Sequence, residues 1–149
     1  MRAPKGDLLM NRINLNRVLL GGIVAGFLIN TGEFILNGIL LRAHIEADMK
    51  RMNLTPPGVG FAALAVTLTF IFGILAVLIY AMMRSRLGPG PKTALLTALI
   101  LWFCLYAYSG TINMLLISVP PKLIIMILAW GIVEYPVGIL AGASLYREE

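Results

Sequence analysis

The chain has 149 residues, of which 59 % are hydrophobic and only 13 % charged, and its formal net charge is +5. Soluble domains carry about 25 % charged residues, so this composition excludes a soluble globular fold and points to an all-α, polytopic membrane protein. The basic residues lie at the ends of apolar runs and form no continuous face, which argues for topology signals and against nucleic acid as a partner.

Residues 1–17 are polar and basic, with Leu8, Leu9 and Ile13 spaced to dip into a membrane interface as a short amphipathic segment. Translation starting at Met10 instead of Met1 is equally compatible with the pattern. The apolar run that follows, 18–41, is too long for the core of a signal peptide and lacks a small-x-small cleavage site before Asn30, so it reads as an uncleaved anchor. It is long enough to cross a bilayer, which takes roughly 20 residues. Asn30, Glu33 and Asn37 recur at spacings of three and four and share one helix face with Gly22 and Gly26.

An outer loop, 42–57, comes next. Leu41, Ile45, Met49 and Met52 recur at helical spacing, and Glu46 and Lys50 are placed to pair at i, i+4, which predicts an amphipathic helix ended by Thr55, Pro56, Pro57 and Gly58. His44, Glu46 and Asp48 do not share one face, so the expectation is a solvated surface and no metal site. The second run, 58–83, is broken only by Thr67, Thr69 and Gly73, and a tight turn, 84–92, follows it. The third run, 93–118, sets Trp102, Tyr106, Ser109 and Asn113 on one face, and Pro120 and Pro121 make a short turn to the fourth, 123–146. In the fourth run Gly131, Glu134, Gly138 and Gly142 form a stripe, and Pro136 predicts a modest kink. The whole chain, 1–149, thus reads as a single membrane domain, a four-transmembrane-helix bundle.

None of the four runs contains Lys or Arg. Arg2, Lys5, Arg12, Arg17, Arg84, Arg86, Lys92 and Arg147 fall on one side, eight in all, against four on the other, Arg42, Lys50, Arg51 and Lys122. The positive-inside rule then places both termini of this multi-pass protein in the cytoplasm.

Aligning the runs by their midpoints sets Gly26 level with Gly138 and Gly22 with Gly142, so that small residues glue the first helix to the fourth. The same register brings Asn30 to Glu134 and Glu33 to Gly131, with the two carboxyls about 4.5 Å apart in depth. Tyr106, Ser109 and Asn113 fall level with Asn30, Glu33 and Asn37, so the polar groups form one layer. Burial and mutual repulsion both favour a neutral carboxyl, and close carboxyls share a proton, so at least one of Glu33 and Glu134 is expected to be protonated at neutral pH. The layer serves either as a helix clip or as a proton or cation site.

The stretch from Asn16 to Gly22, the GEFILNG of Gly32 to Gly38 and the WGIVE of Trp130 to Glu134 resemble a group of small four-helix bacterial integral membrane proteins. That resemblance implies four spans and a bacterial origin, hence a place in a bacterial inner membrane, and supplies no activity. Glu33 in the first of four helices is also similar to the small multidrug resistance transporters, where such a Glu exchanges protons for cationic drugs. This chain departs from them in its length and in its second Glu, Glu134. Cys104 is the only cysteine and His44 the only histidine, and no nucleophile, phosphate loop or metal motif is present. The expectation is a non-enzymatic structural or accessory subunit of a membrane assembly, with lipid and other membrane subunits or further copies of itself as partners. The alternative is a small proton- or cation-coupled transporter using Glu33 and Glu134. The sequence requires no cofactor, although the aromatics of the third run could lie beside a pigment or quinone.

Overall fold

The computed structural model describes residues 13–148. Within them five helices follow in order: α1 Leu15–Leu40, α2 Arg42–Arg51, α3 Val59–Leu87, α4 Pro91–Leu116 and α5 Pro121–Ser144, with no strand among the described residues. All but α2 are long and apolar enough to cross a membrane. Each of the four apolar runs is therefore a helix, with its ends displaced by a few residues. The expected surface segment at Leu8 and Leu9 lies outside the described residues.

The displaced ends have local causes. Asn14 caps α1, its side-chain oxygen accepting from the Arg17 amide at 3.1 Å, so the helix starts ahead of the apolar run. Pro91 and Pro121 each open a helix where the missing N–H is no loss. α2 and α4 end alike. Asn53 and Ser118 take positive φ (53° and 59°). Beyond them Leu54 donates to Met49 O and Val119 to Met114 O, both at 2.9 Å, closing the last turn of each helix. Pro136 sits inside α5 and the helix continues through it.

The outer loop holds its helix as expected but pairs differently. Arg42 meets Glu46 at 2.9 Å and Arg51 meets Asp48 at 3.2 Å, in place of a Glu46–Lys50 pair. Arg51 also donates to the carbonyl of Ile117 at 2.9 Å, which ties α2 to the end of α4.

α1 packs between α3 and α5, and α4 closes the bundle against α5 and α3. The core lies toward the end that carries the termini and consists largely of small residues. One cluster contains Val18, Ala25, Val77, Tyr80, Ala94 and Tyr146, and a second contains Ile29, Ala76, Ala98, Tyr135 and Ile139. Lipid tails offer no hydrophobic drive for helix association, so close backbone approach has to supply the attraction.

The glycines make that approach possible, with a pairing different from the one expected. Gly22 and Gly26 face α3, not α5. A Cβ on Gly73 would lie 2.5 Å from both Gly22 O and Gly26 N, and one on Gly26 would lie 2.9 Å from the Phe70 Cα. Gly142 instead meets Gly21, whose carbonyl would stand 2.5 Å from an added Cβ, and Gly138 meets Ile29 and Ala25. α1 has two neighbours, and adjacent positions of its small-residue stripe divide between them: Gly21 and Ala25 serve α5, Gly22 and Gly26 serve α3.

Candidate functional site

Four polar side chains of the spans, Glu33, Asn37, Tyr106 and Glu134, meet above this core. Tyr106 on α4 is the centre. Its hydroxyl oxygen lies 2.6 Å from Glu33 Oε1 on α1 and 3.1 Å from Glu134 Oε2 on α5. One phenol thus joins three helices. The other oxygen of Glu33, Oε2, accepts from Asn37 Nδ2 at 2.6 Å.

Local backbone makes these meetings possible. Residues Leu36–Leu40, just after Glu33, and Phe103–Gly110, around Tyr106, are π-helical within α1 and α4. Such turns are rare and occur preferentially at functional sites. Their i→i+5 bonding advances less angle per residue than an α-helix, so side chains beyond the turn rotate off the original face. Tyr106 also needs room. A Cβ on Gly131 would lie 2.8 to 2.9 Å from three atoms of the Tyr106 ring, so Gly131 provides the flat bed on which the ring rests. Gly32 does the same for Glu134, whose Oε1 an added Cβ would strike. Tyr135 completes the surround, edge-on to Tyr106 at 5.2 Å and 90°.

The structure brings together Glu33, Glu134, Tyr106 and Asn37, as the stripes suggest, and gives Gly131 its role beneath them. It does not bring Asn30 to Glu134. Asn30 Nδ2 donates to Gly26 O at 2.9 Å and to Val66 O of α3 at 3.3 Å, because its face of α1 is the one turned to α3. Ser109 and Asn113 are exposed, and Asn113 donates to the Ser109 carbonyl at 2.8 Å. The π-turn has rotated both away from Tyr106. Trp102, lower on the same face, instead donates from Nε1 to Leu128 O at 3.1 Å and clips α4 to α5.

Two residues of the site were not singled out from the sequence, Gly32 and Trp130. Gly32 is off the Asn30–Glu33–Asn37 stripe, although it directly precedes Glu33. Trp130 lies one turn before Glu134 on α5, where its apolar bulk hides the fact that it carries an N–H.

Counting hydrogens limits the state of the layer. A tyrosine hydroxyl has one hydrogen to give, so it can donate to only one of the two carboxyls at a time. The other contact is then a hydrogen bond only if that carboxyl supplies the hydrogen to the phenol oxygen. With one of the two carboxyls protonated, carboxyl, phenol and carboxyl form a chain along which a proton can pass between α5 and α1. No Lys or Arg lies in the four apolar runs to neutralise it. Among the described residues no group of three His, Cys, Asp or Glu converges to hold a metal ion. Comparison with known proteins finds no matching family model, no similar curated protein and no similar solved structure.

Proposed function

We propose that this is a non-enzymatic accessory or structural subunit of a larger membrane assembly, in which the Glu33–Tyr106–Glu134 chain acts as a clip holding α1, α4 and α5 in one arrangement. The observation that carries this reading is the single hydroxyl bonded to carboxyls from two other helices at 2.6 and 3.1 Å. Groups committed to one another in this way fix helix positions, and each such bond inside a bilayer contributes on the order of 1 kcal/mol. The outer half of α3, residues 59–68, is exposed along its whole length and offers an apolar rod to a neighbouring subunit. The excess of Lys and Arg at the end of the bundle that carries Arg17, Arg84, Arg86 and Lys92 supports cytoplasmic termini, and the resemblance to small bacterial membrane proteins favours a bacterial inner membrane.

The test is the mass of the particle extracted gently from native membranes, with identification of whatever accompanies it. A stoichiometric membrane partner is expected, and bulky substitutions at Phe61 or Leu64 of α3 should release it. Emergence of the chain alone or only as copies of itself would overturn the reading.

A second reading, proton- or cation-coupled transport, is favoured by one specific observation: Glu134 also lines a groove open to the bilayer. Proton flux in liposomes that disappears in both Glu33→Gln and Glu134→Gln would establish it, and flux unaltered by either would reject it.

A further inference from the structure

The outer half of α4 is only loosely held. Its inner half is set into the core by Thr93, Ala94, Thr97 and Ala98, all buried, whereas no residue from Phe103 to Leu116 is buried. Two polar ties join this outer half to the other helices. At its tip Arg51 donates to Ile117 O, and in its middle the Tyr106 hydroxyl meets Glu33 and Glu134.

The backbone from Phe103 to Gly110 is π-helical, and local groups favour that form. Tyr106 O accepts from the Thr111 amide, five residues on, and from Thr111 Oγ1 at 3.3 Å. Gly110 leaves space for the wider turn, because an added Cβ would lie 3.0 Å from Leu105 O. The π turn of α1 is pinned in place, since Leu36 and Leu41 at its two ends are 2 % and 4 % exposed. That of α4 has no buried residue on its outer side.

A π turn holds about one residue more than the α turn it replaces. Conversion to α-helix would turn everything beyond Gly110 by roughly 100°, one residue's share of a 3.6-residue turn. The sequence suits that second form, because Trp102, Tyr106, Ser109 and Asn113 share one face only if the helix is α throughout. In the π form Ser109 and Asn113 are exposed, and Asn113 donates back to Ser109 O at 2.8 Å. Tyr106 lies inside the segment, so conversion would swing its ring off the Gly131 bed and break its bonds to the carboxyls.

We infer that the outer half of α4 is a two-position element, latched in the π form by the bonds of Tyr106 to Glu33 and Glu134. Release of the latch lets the segment become α-helical and turns Ser109 and Asn113 inward. A change of proton sharing in the layer is thereby converted into a rotation at the outer face of the protein. The inference rests on the clip proposed above and adds a moving part to it.

The test places single nitroxide labels at Ser109 and at 111–116, one at a time, in a Cys104→Ser chain in lipid nanodiscs. Collision with oxygen dissolved in the bilayer, read by power saturation, reports which way each position faces. The parent should show Ser109 and Asn113 turned outward. Tyr106→Phe should rotate that pattern by about 100°, shielding both, while labels at Leu95, Leu96 and Leu99 of the inner half keep theirs. Gly110→Ala, which crowds Leu105 O and favours α-helix, should rotate the pattern the same way with Glu33, Tyr106 and Glu134 intact. A pattern that Tyr106→Phe leaves in place would overturn the inference. If that variant were nonetheless less stable, the clip would stand and only its moving part would fall. A parent that already shields Ser109 and Asn113 would overturn the inference too. Should Tyr106→Phe fail to fold, Gly110→Ala decides by the same readout.

Discussion

Replacing Tyr106 by Phe removes one oxygen atom and nothing else, and that atom is the only link shared by α1, α4 and α5 in the polar layer. The ring keeps its bed on Gly131 and its edge contact with Tyr135, so packing is preserved. Two hydrogen bonds disappear. The one to Glu33, at 2.6 Å, is the shorter and belongs at the upper end of the range for membrane helices, about 1.7 kcal/mol. The one to Glu134, at 3.1 Å, is worth about 0.6 kcal/mol by the average for such bonds. Tyr106→Phe should therefore destabilise the bundle by about 2 kcal/mol, read as a shifted midpoint in reversible unfolding by SDS in mixed micelles. Glu134→Gln is the control. Its amide still donates to the phenol oxygen, so the loss should stay below about 1 kcal/mol. A Tyr106→Phe variant within about 0.5 kcal/mol of the parent would refute the clip, and so would a Glu134→Gln variant costing as much as Tyr106→Phe.

Further outcomes follow from the close contacts and from the C-terminal end. Gly131→Ala should cost about 1–3 kcal/mol by driving a Cβ into the Tyr106 ring. In a Tyr106→Ala background the same change should cost little, a coupling that a double-mutant cycle measures. Gly32→Ala should act through Glu134 in the same manner, with the cost relieved in Glu134→Ala. Tyr146, just beyond α5, is 2 % exposed and stands edge-on to Tyr80 at 6.1 Å, with the Arg84 guanidinium 5.4 Å over its ring. Burial, the leading cause, raises its hydroxyl above the ordinary tyrosine value. A raised folded value means stability that is complete below the unfolded value, about 10, and is lost as pH rises through the folded one. Unfolding midpoints should therefore fall above about pH 10, and Tyr146→Phe should remove that part of the fall.

Much of the fold was legible because lipid imposes a simple grammar: long runs without Lys or Arg become helices, and Pro and Gly punctuate them. The polar layer was legible in part for the same reason. Glu33 and Glu134 stand out in apolar surroundings, and helical spacing links Asn37 to Glu33. Glycine positions carry no such address. A stripe of small residues fits any neighbour, so Gly22 and Gly26 read equally well against α5 and α3, and only the three-dimensional sharing of α1 between two partners decides. Ser109 and Asn113 were misplaced for a different reason. Periodicity assumes a constant angle per residue, and the π-turn at Phe103–Gly110 breaks that assumption at the residues where the layer forms. Trp130 is hard to read from sequence because an indole counts as apolar bulk, although it carries an N–H one turn before Glu134.

The central claim is a proton held between Glu134, Tyr106 and Glu33, which leaves one of the two carboxyls un-ionised. Infrared spectroscopy of the protein in lipid at neutral pH tests it most directly through the carbonyl stretch of an un-ionised carboxylic acid. The account predicts such a band in the parent, shifted in Tyr106→Phe and absent when both Glu33 and Glu134 are replaced by Gln. A parent spectrum without that band, or a band that survives the double replacement, would contradict it.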